Sequence, residues 1–242
     1  ADFILEHPKE SVNPSIEELA ERIGISESTM VRFARKLGYT GYQRFRIALA
    51  RETIPSSEQL FETEVSEGED PADMVFANAR KNLEETYAKL DRNVLKEAAK
   101  RFALSHTLFL MGLGGSNILA QDAYHKLIRT GLNCQYASDY HMQLMLASQA
   151  GEGDAALLIS HTGAGHDTLA LAEELRNNGC FLIILTSNIR SPLAKLGNLV
   201  LSVSNPTSSV VAESFSTRIT SLVLIDVLYV EVGVRAGLPP GL

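Results

Sequence analysis

No apolar run in this 242-residue chain approaches the roughly 18 residues that a bilayer-spanning helix needs, so no membrane span is expected. No basic-then-apolar leader is visible, and no export signal is read. Cysteine occurs twice, at Cys134 and Cys180, each in an apolar stretch. Two such residues make neither a disulfide framework nor a metal pair. They read as small buried hydrophobes, and a reducing, cytoplasmic setting follows. Internal repeats and low-complexity tracts are missing. Charge of one sign is missing from each of two adjoining stretches. Residues 31–51 hold Arg32, Arg35, Lys36, Arg44, Arg46 and Arg51 but no acid, whereas residues 52–73 hold eight acids and no base. A basic patch on a chain of net charge −7 points to a polyanion met by one small region.

The remaining composition is ordinary: 45% hydrophobic and 21% charged, enough to bury a core in one large or two modest domains. Three parts are expected. Residues 1–52 are periodic and helical. The chain opens without Met inside an expected helix (Phe3, Ile4, Leu5), so this domain reads as N-terminally truncated. Residues 53–70, with Pro55, Ser56, Ser57, Ser66, Gly68 and the acidic run, read as a linker. Residues 71–242 alternate helices and strands. Helices are expected at 71–90, 94–104, 117–130, 139–150, 167–178 and 214–234, with a short one in "SPLAKL". Buried strands are expected at 107–112, 133–137, 155–160, 181–186 and 199–203. That alternation predicts a five-stranded parallel sheet with helices on both faces, and ligands bind such sheets beyond the carboxyl ends of the strands.

In the first part, "PSIEELAERIGISESTMVRFARKLGYTG" carries a dense signal. Ser15 with Glu18 makes a capping box. Ile16, Leu19, Ala20 and Ile23 share one face, and small Ala20 allows close helix approach. Gly24 breaks the helix, Ile25 is expected to pack under the turn, and Ser26 caps a second helix with Met30, Phe33, Ala34 and Leu37 inward. Two such helices joined by a short glycine turn form the unit that enters the major groove of DNA. The outward face then offers Ser28, Thr29, Arg32, Arg35 and Lys36, with Arg44 and Arg46 extending the phosphate-contacting surface. Tyr39 and Phe45 are expected in the core. A small helical bundle with a solvated basic face is the bland alternative; the acid-free run favours DNA.

In the third part, two strand ends share a chemistry. "MGLGGSN" and "SHTGAGHDT" each run from a strand into a helix, with glycines for close backbone approach and hydroxyls at the helix start. Free N–H groups and the positive end of the helix dipole bind phosphate there. "TSN" (186–188) is a third polar strand end. A dinucleotide fingerprint fits badly, because Asn117 stands where a glycine is wanted, although Asp139 could serve as its acid. A Gly-Lys-Ser/Thr phosphate loop is absent. A small phosphorylated ligand held by hydroxyls and backbone N–H groups is the physical reading.

These residues carry a resemblance. "MGLGGSN…DAYHKLIRTG", "DYHMQLMLAS", "GDAALLISHTGAGHDT", "TSN…SPLAKLGNLVL" and "ESFSTRITSLVLIDVLYV" resemble the sugar isomerase (SIS) domain of the RpiR/MurR family of bacterial transcription regulators. "SIEELAERIGISESTMVRFARKLGYTGYQRFR" resembles that family's helix-turn-helix. The resemblance implies an all-α helix-turn-helix domain followed by an α/β SIS domain. It also implies a DNA-binding regulator of sugar metabolism, more a repressor than an activator, whose SIS domain senses a phosphosugar and dimerises. Ser116 matches the first-loop serine, Ser160 and Thr162 the hydroxyls of an S-x-S-G motif, and Gly163 its glycine. The next motif position, commonly Ser or Thr, is Gly165 here, which removes a phosphate-facing hydroxyl that Thr168 could replace.

The expected effector site therefore comprises Gly114, Gly115, Ser116, Ser160, His161, Thr162, Gly163, Gly165, Thr168, Ser187 and Glu213. Glu213 is similar in place to the base of SIS isomerases, but an acid at a helix N-terminus is favourable without catalysis. Arg218 lies one turn on and could pair with it or meet ligand. No Cys, Asp or Glu completes a metal-ligand spacing around His161 and His166, so neither metal nor cofactor is expected. His125, Asp139 and His141 read as surface, cap or interface groups. The stripe Ile219, Leu222, Val223, Ile225, Leu228 and Tyr229 reads as core or as a homodimer interface. Two rivals stay open: a phosphosugar isomerase or epimerase with Glu213 as base, and a regulator whose SIS domain only dimerises.

Overall fold

The computed structural model describes residues 2–7, 11, 14, 16–53, 70–204 and 215–235. The expected capping residue Ser15, the body of the linker and Glu213 lie outside the described residues. The chain divides into two compact units, one holding residues 1–67, the other 68–208 and 213–242.

The first unit is helical: α1 (Asp2–Glu6), α2 (Ile16–Ile23), α3 (Glu27–Lys36) and α4 (Tyr42–Thr53). Leu19 of α2 and Met30 and Ala34 of α3 are buried, and Phe45 of α4 closes the core, its ring edge-on to Phe33 at 5.5 Å. The Tyr39 ring meets Phe45 edge-on as well, at 5.6 Å. Gly24 takes φ +73 in the turn, where the Ile25 N–H donates to the Ala20 carbonyl at 2.9 Å. Only glycine enters that region without strain. Two sequence expectations fail in this unit. Ile25 is 37% exposed and Leu37 is 51% exposed. Both fall at helix ends, where the chain turns away before the apolar face can be covered.

The second unit begins with α5 (Pro71–Lys89), capped by Asp70, and α6 (Arg92–Leu104), capped by Asp91. There follow β1 (Leu108–Gly112), α7 (Gly115–Leu127), β2 (Cys134–Tyr136), α8 (Tyr140–Ala147), β3 (Ala155–Ile159) and α9 (His166–Asn177). The unit then runs through β4 (Phe181–Thr186), α10 (Pro192–Leu196), β5 (Leu199–Ser202) and α11 (Phe215–Arg235). The helix expected to reach Thr130 stops at Leu127 and tightens into a single 3₁₀ turn, closed by Gly131 at φ +82. The helix expected over 139–150 is shorter by the Ser148–Ala150 turn.

All five strands pair in parallel in the order β2-β1-β3-β4-β5. β1 and β3 are buried at every position, as a strand covered on both faces must be. One core lies between the sheet and α6, α7 and α11, the other between the sheet and α8, α9 and α10. The helices after β1 and β3 therefore cover opposite faces, which puts a switch point between these neighbouring strands. Cys134 and Cys180 are buried and unpaired, and burial pushes their thiols up to about 11 and about 12.

Among the described residues, Tyr42 Oη and the Asn82 amide are buried without hydrogen-bond partners. Asn82, on α5, is fully buried, and neither its amide oxygen nor its nitrogen has a hydrogen bond. An unsatisfied buried polar group costs about 1–3 kcal/mol. Asn82→Leu, close in size, is therefore expected to raise stability by about that amount. Urea melts of the two chains check it, and a lowered midpoint would refute it.

Candidate functional site

β1 ends at Gly112, where an added Cβ would lie 2.6 Å from the Ser116 carbonyl oxygen. The absence of a side chain lets the first turn of α7 sit against β1. Gly114 then turns at φ +57, and α7 begins with no side-chain cap. α9 begins likewise at Gly165, with no side-chain cap. The contrast within the molecule is sharp: α3, α5, α6, α8 and α10 are capped by Ser26, Asp70, Asp91, Asp139 and Ser191. Two helix starts after adjacent strands thus keep their first N–H groups without a side-chain acceptor, on the polarity that favours an anion.

Hydroxyls surround them. Ser116 is buried in the first turn of α7, Thr168 is buried in the first turn of α9, and Thr162 is half-buried. Among the described residues none of these three side chains has a hydrogen-bonding partner. Ser160 is committed in part, since its Oγ accepts the Gly163 N–H at 3.2 Å. A Cβ added at Gly165 would stand 3.3 Å from Thr168 Oγ1. The Thr168 hydroxyl thus crowds the space that a side chain at 165 would enter.

Ser116, His161 and Ser187 come together on one cleft, which is also lined by Thr186, Thr217, Arg218 and Ser221. Thr162, Gly163, Gly165 and Thr168 do not line it. The His161 carbonyl accepts from Ser187 Oγ at 2.9 Å and Thr186 Oγ1 at 3.1 Å, and His161 Nδ1 lies 3.0 Å from Ser187 Oγ. This ties the β3 loop to the β4 loop. Thr217 and Ser221 were not anticipated from sequence; their signal was a pair of hydroxyls one turn apart near the start of α11.

Two sets of contacts tie together the elements that frame the cleft. Lys126 of α7 bridges Asp122 at 2.6 Å and Asp226 of α11 at 2.5 Å. Burial works against its charge, but the two carboxylates outweigh that and raise its pKa. Gln143, fully buried and also unanticipated, accepts the Gly112 N–H at 3.2 Å and donates to the Gly112 and Ala137 carbonyls, each at 2.9 Å. Asn117 donates to the same two carbonyls. Asp139 accepts the His141 and Met142 N–H groups as a helix cap. Asn117, which stands against a dinucleotide fingerprint, and Asp139, its candidate acid, are thereby both occupied in holding backbone.

Gly163 is structural. Its φ is +62, and a side chain there would run into the Ser191 hydroxyl that caps α10. Gly163→Ala is expected to cost about 2–4 kcal/mol, from left-handed strain plus overlap. Thermal unfolding checks it, and an unchanged midpoint would show that the loop can move aside.

On α3, Ser28, Arg32, Arg35 and Lys36 are exposed and Thr29 half-buried, and on α4 Arg44 is exposed. Arg46 is half-buried and donates to the Pro14 carbonyl at 3.4 Å, so part of its donor capacity serves the fold.

Residues 1–56 match the helix-turn-helix domain of the rpiR family, and residues 102–231 match the SIS domain. The chain is 31% identical to the transcriptional regulator RpiR of Escherichia coli K12, over 96% of this chain and 79% of that protein. It is 32% identical to the regulator HexR of Pseudomonas aeruginosa, over 98% and 84%. The solved structure of Vibrio vulnificus NanR complexed with ManNAc-6P is 28% identical and superposes with a TM-score of 0.68, over 96% of this chain and 83% of that one. The chain belongs to the RpiR family. It is a helix-turn-helix transcriptional regulator carrying a SIS domain. In this RpiR-family chain no described helix is long and apolar enough to cross a membrane. Among the described residues no cluster of His, Cys, Asp or Glu could hold a metal ion.

Proposed function

We propose that this RpiR-family regulator represses genes of sugar metabolism in the cytoplasm and that a phosphosugar, bound by its SIS domain, alters its hold on operator DNA. One observation carries the reading: two uncapped helix starts after adjacent strands, with the uncommitted hydroxyls of Ser116, Thr162 and Thr168 beside them. Such a site favours a phosphoryl group. The cleft beside it is lined by groups that suit sugar hydroxyls: His161, Ser187, Thr217 and Ser221, with Arg218 as a permanent cation. That NanR was solved with ManNAc-6P supports a phosphosugar of this kind. The relatives named here are regulators, which supports sensing over turnover.

The regulator acts as a homodimer in this reading. α11 buries Ile225 and Leu228 but leaves Ile219, Val223, Val230 and Val234 exposed, at positions that fall on one side of a helix. The expected stripe is thus divided between core and surface. A two-fold pair of helix-turn-helix units would read a two-fold operator.

Differential scanning fluorimetry with ManNAc-6P, fructose 6-phosphate, glucose 6-phosphate and the unphosphorylated sugars tests the effector reading. A phosphosugar at about 100 times its dissociation constant should stabilise the fold by roughly 2.7 kcal/mol, and its parent sugar should not. Equal shifts with both would refute a phosphate site. Turnover of any of these compounds would refute a purely regulatory role.

A further inference from the structure

The outward face of α3 is not uniform. Met30 and Ala34 are buried. At about 100° per residue, Arg32 lies roughly 180° round the helix from the midpoint of that pair. Arg35 and Lys36 flank it toward the helix C-terminus. Arg32 also carries a hydrogen bond: its Nη2 donates to Thr29 Oγ1 at 3.3 Å. Thr29 Oγ1 in turn lies 2.9 Å from Ser26 Oγ, which lies 2.9 Å from Ser28 Oγ and accepts the Thr29 N–H at 3.3 Å. A chain of hydroxyls anchored on the helix cap thus draws the guanidinium toward the N-terminal end of α3. In a helix-turn-helix that end meets the base edges. One of the five guanidinium N–H donors is engaged by Thr29, so a planar pair remains for a ligand.

We propose that Arg32 is the base-reading residue of α3, that it recognises guanine in the major groove, and that Thr29 is its positioning residue. The inference rests on α3 being the DNA-reading helix. Guanine is the base that presents two acceptors, O6 and N7, to a guanidinium fork. Arg35 and Lys36, lacking a comparable tether, contact phosphate. A side chain already drawn to one end of the helix loses less freedom on binding than an unrestrained one.

Selection from a random-sequence duplex library by the full chain tests this. The wild type should enrich a site with an invariant G·C pair in each half. Arg32→Ala should lose the preference at that pair alone, by a factor of about 5 to 150. Arg32→Gln should move it to A·T, because glutamine pairs with adenine N6 and N7. Thr29→Val should weaken the guanine preference and Thr29→Ser should keep it. If Arg32→Ala keeps the wild-type preferences and weakens all sequences alike, Arg32 is a phosphate contact and the proposal is wrong. If the wild type enriches nothing yet binds a non-specific duplex in a salt-dependent way, base reading fails while DNA binding stands. If it binds no duplex, both fail together.

Discussion

The double variant Ser116→Ala/Thr168→Val should lose phosphosugar affinity by about 10²- to 10⁴-fold while melting close to the wild type. The two hydroxyls lie in the first turns of α7 and α9 and have no hydrogen-bonding partner among the described residues. Removing them breaks nothing within the chain. Thr168→Val keeps the volume of a buried side chain, so packing in the first turn of α9 survives. A hydrogen bond to a charged group is worth about 1.5–3 kcal/mol, and two such bonds give the range stated. Calorimetric titration with the phosphosugar that gives the largest thermal shift checks it. Affinity held within about threefold of the wild type would mean that the phosphate rests on backbone N–H groups alone.

The second large effect belongs to the other unit. Arg35→Ala/Lys36→Ala should weaken operator binding roughly 60-fold at 0.1 M salt and lower the slope of log affinity against log salt by about 2. Each phosphate neutralised contributes about 0.9 to that slope, which at 0.1 M is a factor of about 8 per residue. Both side chains are exposed on α3, so the fold should not register the change. Fluorescence anisotropy across a salt series gives both numbers. An unchanged slope would place the two residues away from the phosphate backbone.

Much of this molecule was legible from periodicity and punctuation. The strands β1, β3 and β4 were found because an apolar run of five or six residues ending in glycine or a hydroxyl has few other uses. The helix-turn-helix was found because Gly24 separates two amphipathic stretches. The failures share a cause. Ile25 and Leu37 are apolar and in register, yet they sit where the backbone leaves the helix, and coverage there depends on tertiary geometry that period alone does not encode. Ser116 and Ser187, which line the cleft, were read as candidates because their loops announce themselves. Thr217 and Ser221 were not, since a threonine or serine in an apolar helix can equally bond back to its own backbone, as Ser221 does to the Thr217 carbonyl at 2.9 Å. Gln143 was missed for a related reason. A buried amide that holds loop backbone leaves no periodic pattern, since its partners lie 6 and 31 residues away. The role expected for Glu213 falls outside the described residues.

The glycine starts of α7 and α9 also bear on how long the protein survives. A helix that opens on glycine is a few tenths of a kcal/mol less secure than one opened by serine or aspartate, and this one has two. A bound phosphosugar would supply an acceptor where no side chain caps the helix and would deepen the folded state. Proteolysis commonly follows the population of the open form. The metabolite that changes operator occupancy would then also govern the turnover of the regulator, so that its abundance and its signal rise and fall together.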